Sequence, residues 1–336
     1  MTTGIVHLAR GPRFDKVWTP AFIDALQAIG PLTLHEHGNE LSDEAAAELI
    51  RSHRVAIAGW DARLLPVDLA NDPGALRYVC SYSGTIRHCV PRELIEAGIP
   101  VTNWGDLPAP GIAESAMTLL LTCVHDMARI RRAQEAGEWG YDVTRAGTLH
   151  GLAVGVYGLG AIGRHFVEML RPFGARIRAF DPYVATLPDN VERADSLDDL
   201  CEWAEALVIH AGLTAETQGS VGAAQLARLP DAGIVVNTAR GAIIDQAALF
   251  AEVARGRLRA GLDVLDPDHL DATEPLRQSE NAYFTFHALT DEGGDAWPPR
   301  QGLTRLQQRC VDQIAAFAAG GTPDFLFDVD RFDRST

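Results

Sequence analysis

The segment Gly158-Leu159-Gly160-Ala161-Ile162-Gly163 sets three glycines at a spacing that gives each its own task. Gly158 permits a tight turn, Gly160 lets backbone approach a ligand closely, and Gly163 lets a helix pack against the strand before it. The preceding run AVGVY reads as a buried strand, and the residues from Ala161 onward read as a helix. The free N–H groups at that helix start, those of Ala161 and Ile162 included, and the positive end of the helix dipole suit a pyrophosphate. Asp181 ends the next apolar run about 20 residues on, where a carboxylate accepts hydrogen bonds from an adenosine ribose and repels a 2′-phosphate. Glycines alone also serve ordinary αβ loops; strand, turn, helix and acid together predict an NAD site in preference to an NADP site.

Hydride chemistry beside such a site needs further groups: a cation to hold an acid substrate, a residue that exchanges a proton near neutral pH, a carboxylate to tune it, and a cleft that closes. The elements that must position them alternate along the chain. Ile5–Ala9, Leu32–His35, Val55–Ala58 and Leu76–Ser81 read as strands, with helices over Ala21–Ile29, Ser42–Arg51 and Pro91–Ala97. NWGDLPAP, residues 103–110, reads as a boundary, followed by one long helix over about Ile112–Glu138. A second alternating region carries six strands: Ala153–Tyr157, Arg176–Phe180, Ala206–His210, Gly233–Asn237, Arg259–Leu262 and Ala282–Thr285. A terminal helix over Gly302–Ala319 and a polar tail complete the chain. We expect two α/β domains, each a doubly wound parallel sheet, with a Rossmann cofactor domain (106–292) inserted into a flavodoxin-like substrate domain (1–105 with 293–336). The two chain crossings would form a hinge.

Bulk properties narrow the function. The 336 residues carry a formal net charge of −16, which disfavours nucleic acid and anionic lipid as partners. No apolar stretch is long enough to span a bilayer, and the N-terminus has no signal-peptide pattern. Five widely spaced cysteines without a C-x-x-C pair predict neither a disulfide framework nor a metal site, and a cytoplasmic location.

From Gly151 to His287 the chain resembles the D-isomer-specific 2-hydroxyacid dehydrogenases, through GLAVGVYGLGAIG, AFDPY, TAETQG, VVNTARGAIID, AGLDV and a closing N-x-x-x-T-x-H. A weaker resemblance runs through LRYVCSYSGTI, GIPVTN and IAESAMTLLL in the first domain. It implies that Arg240, in NTARG, grips the substrate carboxylate with a guanidinium fork. It implies that His287 is the acid/base, since imidazole titrates near neutrality. Asp263 then lies near the nicotinamide, Thr214 and Thr238 line the cofactor cleft, and the Ser83-Gly84-Thr85 loop offers its N–H groups to the substrate. The region of Trp139 and Tyr141 crosses to a second subunit in related enzymes, so a homodimer is expected.

The chain departs from this pattern at several positions. Where the family has Glu, five residues after the Asp of G-x-D-V, this chain has Asp268. One methylene shorter, it reaches His287 only if its loop moves in; otherwise it is a solvated loop acid. The usual T-P-H is Thr285-Phe286-His287, and Gly212 replaces a proline after the strand near His210. Arg10, Arg87 and His88 either bind a second anionic group on the substrate or are surface residues, and Trp297 is a further candidate contact.

These observations lead us to expect reversible hydride transfer between NAD and a small D-2-hydroxy or 2-oxo acid. One alternative keeps the scaffold but oxidises phosphite or a phosphonate; formate is disfavoured, because formate-oxidising relatives carry an amide at the position of Asp268. Another is a non-enzymatic NAD-responsive binding protein.

Overall fold

Short apolar runs covered on both faces form parallel strands, and the intervening amphipathic stretches cover them. The computed structural model describes residues 3–10, 17–140, 146–288 and 302–334. The chain forms two compact units, one of residues 1–108 with 291–336 and the other of 109–290.

The first unit runs β1 (Ile5–Leu8), α1 (Pro20–Gln27), β2 (Leu32–His35), α2 (Asp43–Arg51), β3 (Val55–Ala58), β4 (Tyr78–Ser81), α3 (Arg92–Glu96) and β5 (Val101–Thr102). The sheet order is β2-β1-β3-β4-β5, all parallel, as in flavodoxin-like folds. Thr19 caps α1 ahead of Pro20, and Ser42 caps α2 by accepting from Ala45 N, so both helix starts are encoded locally.

The second unit begins with α4 (Ala109–Val124) and α5 (Met127–Ala136). The single helix expected over Ile112–Glu138 is thus two. Asp126, at φ +54°, turns the chain, and its N–H donates to the Cys123 carbonyl at 3.3 Å, where Arg259 Nη1 also donates at 2.8 Å. Next come β6 (Ala153–Tyr157), α6 (Ala161–Leu170), β7 (Arg176–Phe180), β8 (Val191–Arg193), α7 (Leu197–Trp203), β9 (Ala206–Ile209), α8 (Ala223–Arg228), β10 (Gly233–Asn237), α9 (Gln246–Ala254), β11 (Leu258–Leu262) and β12 (Ala282–Phe284). The sheet has seven strands in the order β12-β11-β10-β9-β6-β7-β8, one more than the sequence suggested. The additional strand, β8, lies at the edge and is largely exposed, so it lacks the apolar run that marks the others. The order reverses at β6, the switch point beside which such sheets bind ligands.

After residue 301 the chain rejoins the first unit. α10 (Arg305–Ala318) buries Cys310 and Ile314 with Ile5, Phe22 and Tyr78. The tail is not simply polar: it forms α11 (Val329–Arg334), and Phe327 and Phe332 enter the core with Leu94 and Val101. No described helix is long and apolar enough to cross a membrane.

Candidate active site

β6 ends at Tyr157 and the glycine turn follows. Gly158 has φ +92°, and a Cβ there would stand 2.4 Å from Ala211 N. A Cβ on Gly163 would stand 2.3 Å from the Gly158 carbonyl oxygen, whereas one on Gly160 would meet nothing within 4 Å. Two glycines therefore close the turn, and the third leaves open space above it. Gly160 is the N-cap of α6, so Ala161, Ile162 and Gly163 begin the helix that would face a phosphate.

Asp181 stands at the end of β7, its carboxylate held by Leu159 N at 2.7 Å and Tyr183 N at 2.9 Å. Thr238, just past β10, is buried, and its hydroxyl has no hydrogen-bond partner among the described residues. Open space above Gly160, an anchored acid and an orphaned hydroxyl on one sheet edge fit a dinucleotide. Thr214 is different: its hydroxyl accepts from Glu216 N and Thr217 N, which is a turn cap. Beneath the turn, His210 packs on Phe166 with both ring nitrogens buried and unpartnered. Burial pushes its pKa from 6.5 down to about 3, so the ring is neutral.

The carboxyl ends of the neighbouring strands β10, β11 and β12 carry Arg240, Asp263 and His287. Asn237 organises the loop after β10: its Nδ2 donates to the Arg240 carbonyl at 2.8 Å, and its Oδ1 accepts from Ala239 N. Arg240 is half-buried, with Nη1 donating to the Ala239 carbonyl at 2.7 Å. Gly241 then presses against the loop after β11; a Cβ there would lie 2.0 Å from the Leu265 carbonyl carbon. That second loop carries Asp268. Gln246 Oε1 receives Asp266 N, and Asp268 Oδ1 receives Leu265 N.

Asp268 Oδ2 lies 2.7 Å from His287 Nδ1. The shorter acid does reach the imidazole. A carboxylate only accepts, so Nδ1 carries a proton and Nε2 is the nitrogen left for another partner. Asp263 is buried and braces the histidine loop: Oδ1 accepts from Thr285 Oγ1 at 2.6 Å and from Ala288 N at 3.2 Å, while its carbonyl accepts from His287 N. Phe286 and His287 have φ of +54° and +57°. Proline is locked near −65°, so this loop geometry excludes the proline that Phe286 replaces. The sequence marks the Thr285-Phe286-His287 run but not Gly241 and Gln246, whose partners lie in the loop after β11, nor the local clamp made by Asn237.

In the first unit, the Ser83-Gly84-Thr85 loop follows β4. Ser83 Oγ donates to the Thr85 carbonyl at 2.9 Å, and Asn103 Nδ2 to the Gly84 carbonyl at 2.6 Å. Arg331, from α11, reaches Asn103 Oδ1 at 3.0 Å. The N–H groups of Gly84 and Thr85 donate to no described residue. Arg87, exposed, donates from Nε and Nη2 to the carbonyls of Phe332 and Asp333. Trp297 and Tyr141 lie outside the described residues. Among the described residues no cluster of side chains is arranged to hold a metal, and all five cysteines are buried and free.

The family model for the D-isomer specific 2-hydroxyacid dehydrogenase NAD binding domain matches residues 117–288. The chain belongs to this dehydrogenase family. Its second unit is the NAD-binding domain, the part to which the geometry above assigns a dinucleotide. This family member is 33% identical over 207 residues to a D-3-phosphoglycerate dehydrogenase of Methanocaldococcus jannaschii, covering 60% of this chain and 39% of that one. It is 34% identical over 195 residues to a hydroxypyruvate reductase of Thermotoga maritima, covering 57% and 63%. The chain thus spans less than two thirds of the length of either relative. A glyoxylate reductase structure from Paecilomyes thermophila superposes with a TM-score of 0.76 at 22% identity over 97% of this chain and 98% of that one, which is a likeness of fold.

Proposed function

We propose that the chain is an NAD-dependent dehydrogenase that interconverts a small D-2-hydroxy acid and its 2-oxo acid. The observation that carries this reading is the 2.7 Å His287–Asp268 pair on the strand edge that also bears Arg240. When bound, the nicotinamide supplies or takes the hydride. His287 gives a proton from Nε2 to the carbonyl oxygen during reduction and takes it from the hydroxyl during oxidation. Asp268 holds the ring so that Nε2 points away from it and stabilises the charged imidazole. Arg240 binds the substrate carboxylate. In the first unit, the N–H groups of Gly84 and Thr85 are donors suited to an anion. Asp181 selects NAD over NADP by receiving the ribose hydroxyls, and Thr238 and Asp263 line the cofactor site.

NADH oxidation with a panel of 2-oxo acids tests this directly. Turnover that disappears in His287→Ala supports it; NADH binding with no turnover of any acid refutes it and supports a binding protein. Five free buried thiols suit the reducing cytoplasm. Trp139, wholly exposed beyond α5, is the residue we assign to a homodimer contact, which sedimentation of wild type and Trp139→Ala checks.

A further inference from the structure

The carboxyl edge of the first unit's sheet carries an aromatic cluster that the roles above leave unused. Trp60, after β3, meets Tyr82 and Trp104 edge-on, with ring centroids 5.9 and 5.2 Å apart. The Trp104 indole lies directly on the substrate loop: a Cβ on Gly84 would stand 2.2 Å from its Cζ2. Gly59 is equally tight against the Tyr82 ring, at 2.1 Å. From behind, Trp18 Nε1 donates to the Asp61 carboxylate at 3.2 Å, and the Tyr82 hydroxyl donates to the same carboxylate.

Trp18, Tyr82 and Asp61 are at most 4% exposed, so this support is core. Trp60 and Trp104 are only half-buried, and neither indole N–H donates to a described residue. Two partly buried indoles therefore stand beside the unspent N–H groups of Gly84 and Thr85. Cations for a second acidic group are scarce there. Arg87 is held by main-chain carbonyls, and burial lowers the pKa of His88 despite its hydrogen bond to the Gly59 carbonyl, with Arg10 adding to the lowering. That leaves Arg10, whose side chain is exposed.

We propose that this edge binds a planar apolar group, so that the substrate is a 2-oxo acid with an aromatic ring on C3, of the arylpyruvate class. The ring lies against Trp60 and Trp104 while the carboxylate meets the Gly84 and Thr85 amides. Aromatic faces favour such offset or edge-on contacts over a phosphate or a second carboxylate. The inference rests on the dehydrogenase reading and adds substrate class to it.

The test compares kcat/KM of the full-length chain for phenylpyruvate, pyruvate and glyoxylate with NADH. Phenylpyruvate is expected to exceed pyruvate by about 10-fold or more, the scale of discrimination that apolar contact provides. Trp60→Ala and Trp104→Ala are expected to collapse that ratio, and Trp104→Phe to retain most of it. Turnover of glyoxylate or pyruvate with phenylpyruvate at or below them overturns this inference and leaves the dehydrogenase reading standing. Failure to reduce phenylpyruvate, with NADH still bound, overturns this inference; failure across the whole 2-oxo acid panel ends both. The wild-type comparison decides even where a tryptophan variant does not fold.

Discussion

Gly160 and Gly163 sit three residues apart in one turn, yet alanine at each has opposite consequences. At 163 a methyl collides with the Gly158 carbonyl, so Gly163→Ala is expected to cost about 1–3 kcal/mol in chemical denaturation. At 160 the methyl meets no protein atom, so Gly160→Ala should fold normally and lose NADH affinity by fluorescence titration. At the other end of the site, His287→Ala is expected to reduce kcat by roughly 10²–10⁴-fold with NADH binding retained. Asp268→Asn should lower kcat as well, because an amide can present a donor to Nδ1 and no longer fixes the ring tautomer. His210 gives a pH prediction. Its folded pKa of about 3 lies below the unshifted 6.5, so the unfolded chain takes up a proton that the fold refuses. Its contribution to stability is complete above about pH 6.5 and drains away as pH falls towards 3. Urea midpoints across that window should fall less steeply in His210→Gln than in wild type.

At the scale of elements, the loops after β10 and β11 meet closely at Gly241. Gly241 has no space for a side chain against Leu265 and Asp266, so Gly241→Ala should push the Asp268 loop outward. We expect kcat/KM to fall while the NADH dissociation constant holds, which separates this loop from the dinucleotide turn. Most strands were legible because their apolar runs are unbroken, and the glycine turn because its spacing is dictated by sterics. The break at Asp126 was not legible, since the arginine that completes it, Arg259, lies on β11, far along the chain. β8 was hidden by its exposed, polar edge position, and α11 because few residues of an acidic tail, Phe327 and Phe332 among them, are buried. Asp268 was placed by the family resemblance, counted from Asp263, but its reach to His287 depends on contacts that Gly241 and Gln246 make with another loop. The Trp60–Trp104 pair joins two loops after different strands, which periodicity along the chain does not register.

On the scale of the whole molecule, the first unit is discontinuous in sequence. Ile314 and Cys310 of α10 share a core with Ile5 and Phe22, and Arg331 braces Asn103. Deleting residues 302–334 should therefore leave 3–108 open to protease while 109–290, whose core draws on neither flank, stays resistant.

During synthesis this imposes a waiting time. The first hundred residues leave the ribosome with no cover for the face of β4 that Cys310 later fills, and two hundred more must be translated before that cover is made. In the interval that segment offers apolar surface to chaperones, while the central domain can finish folding ahead of the unit that flanks it.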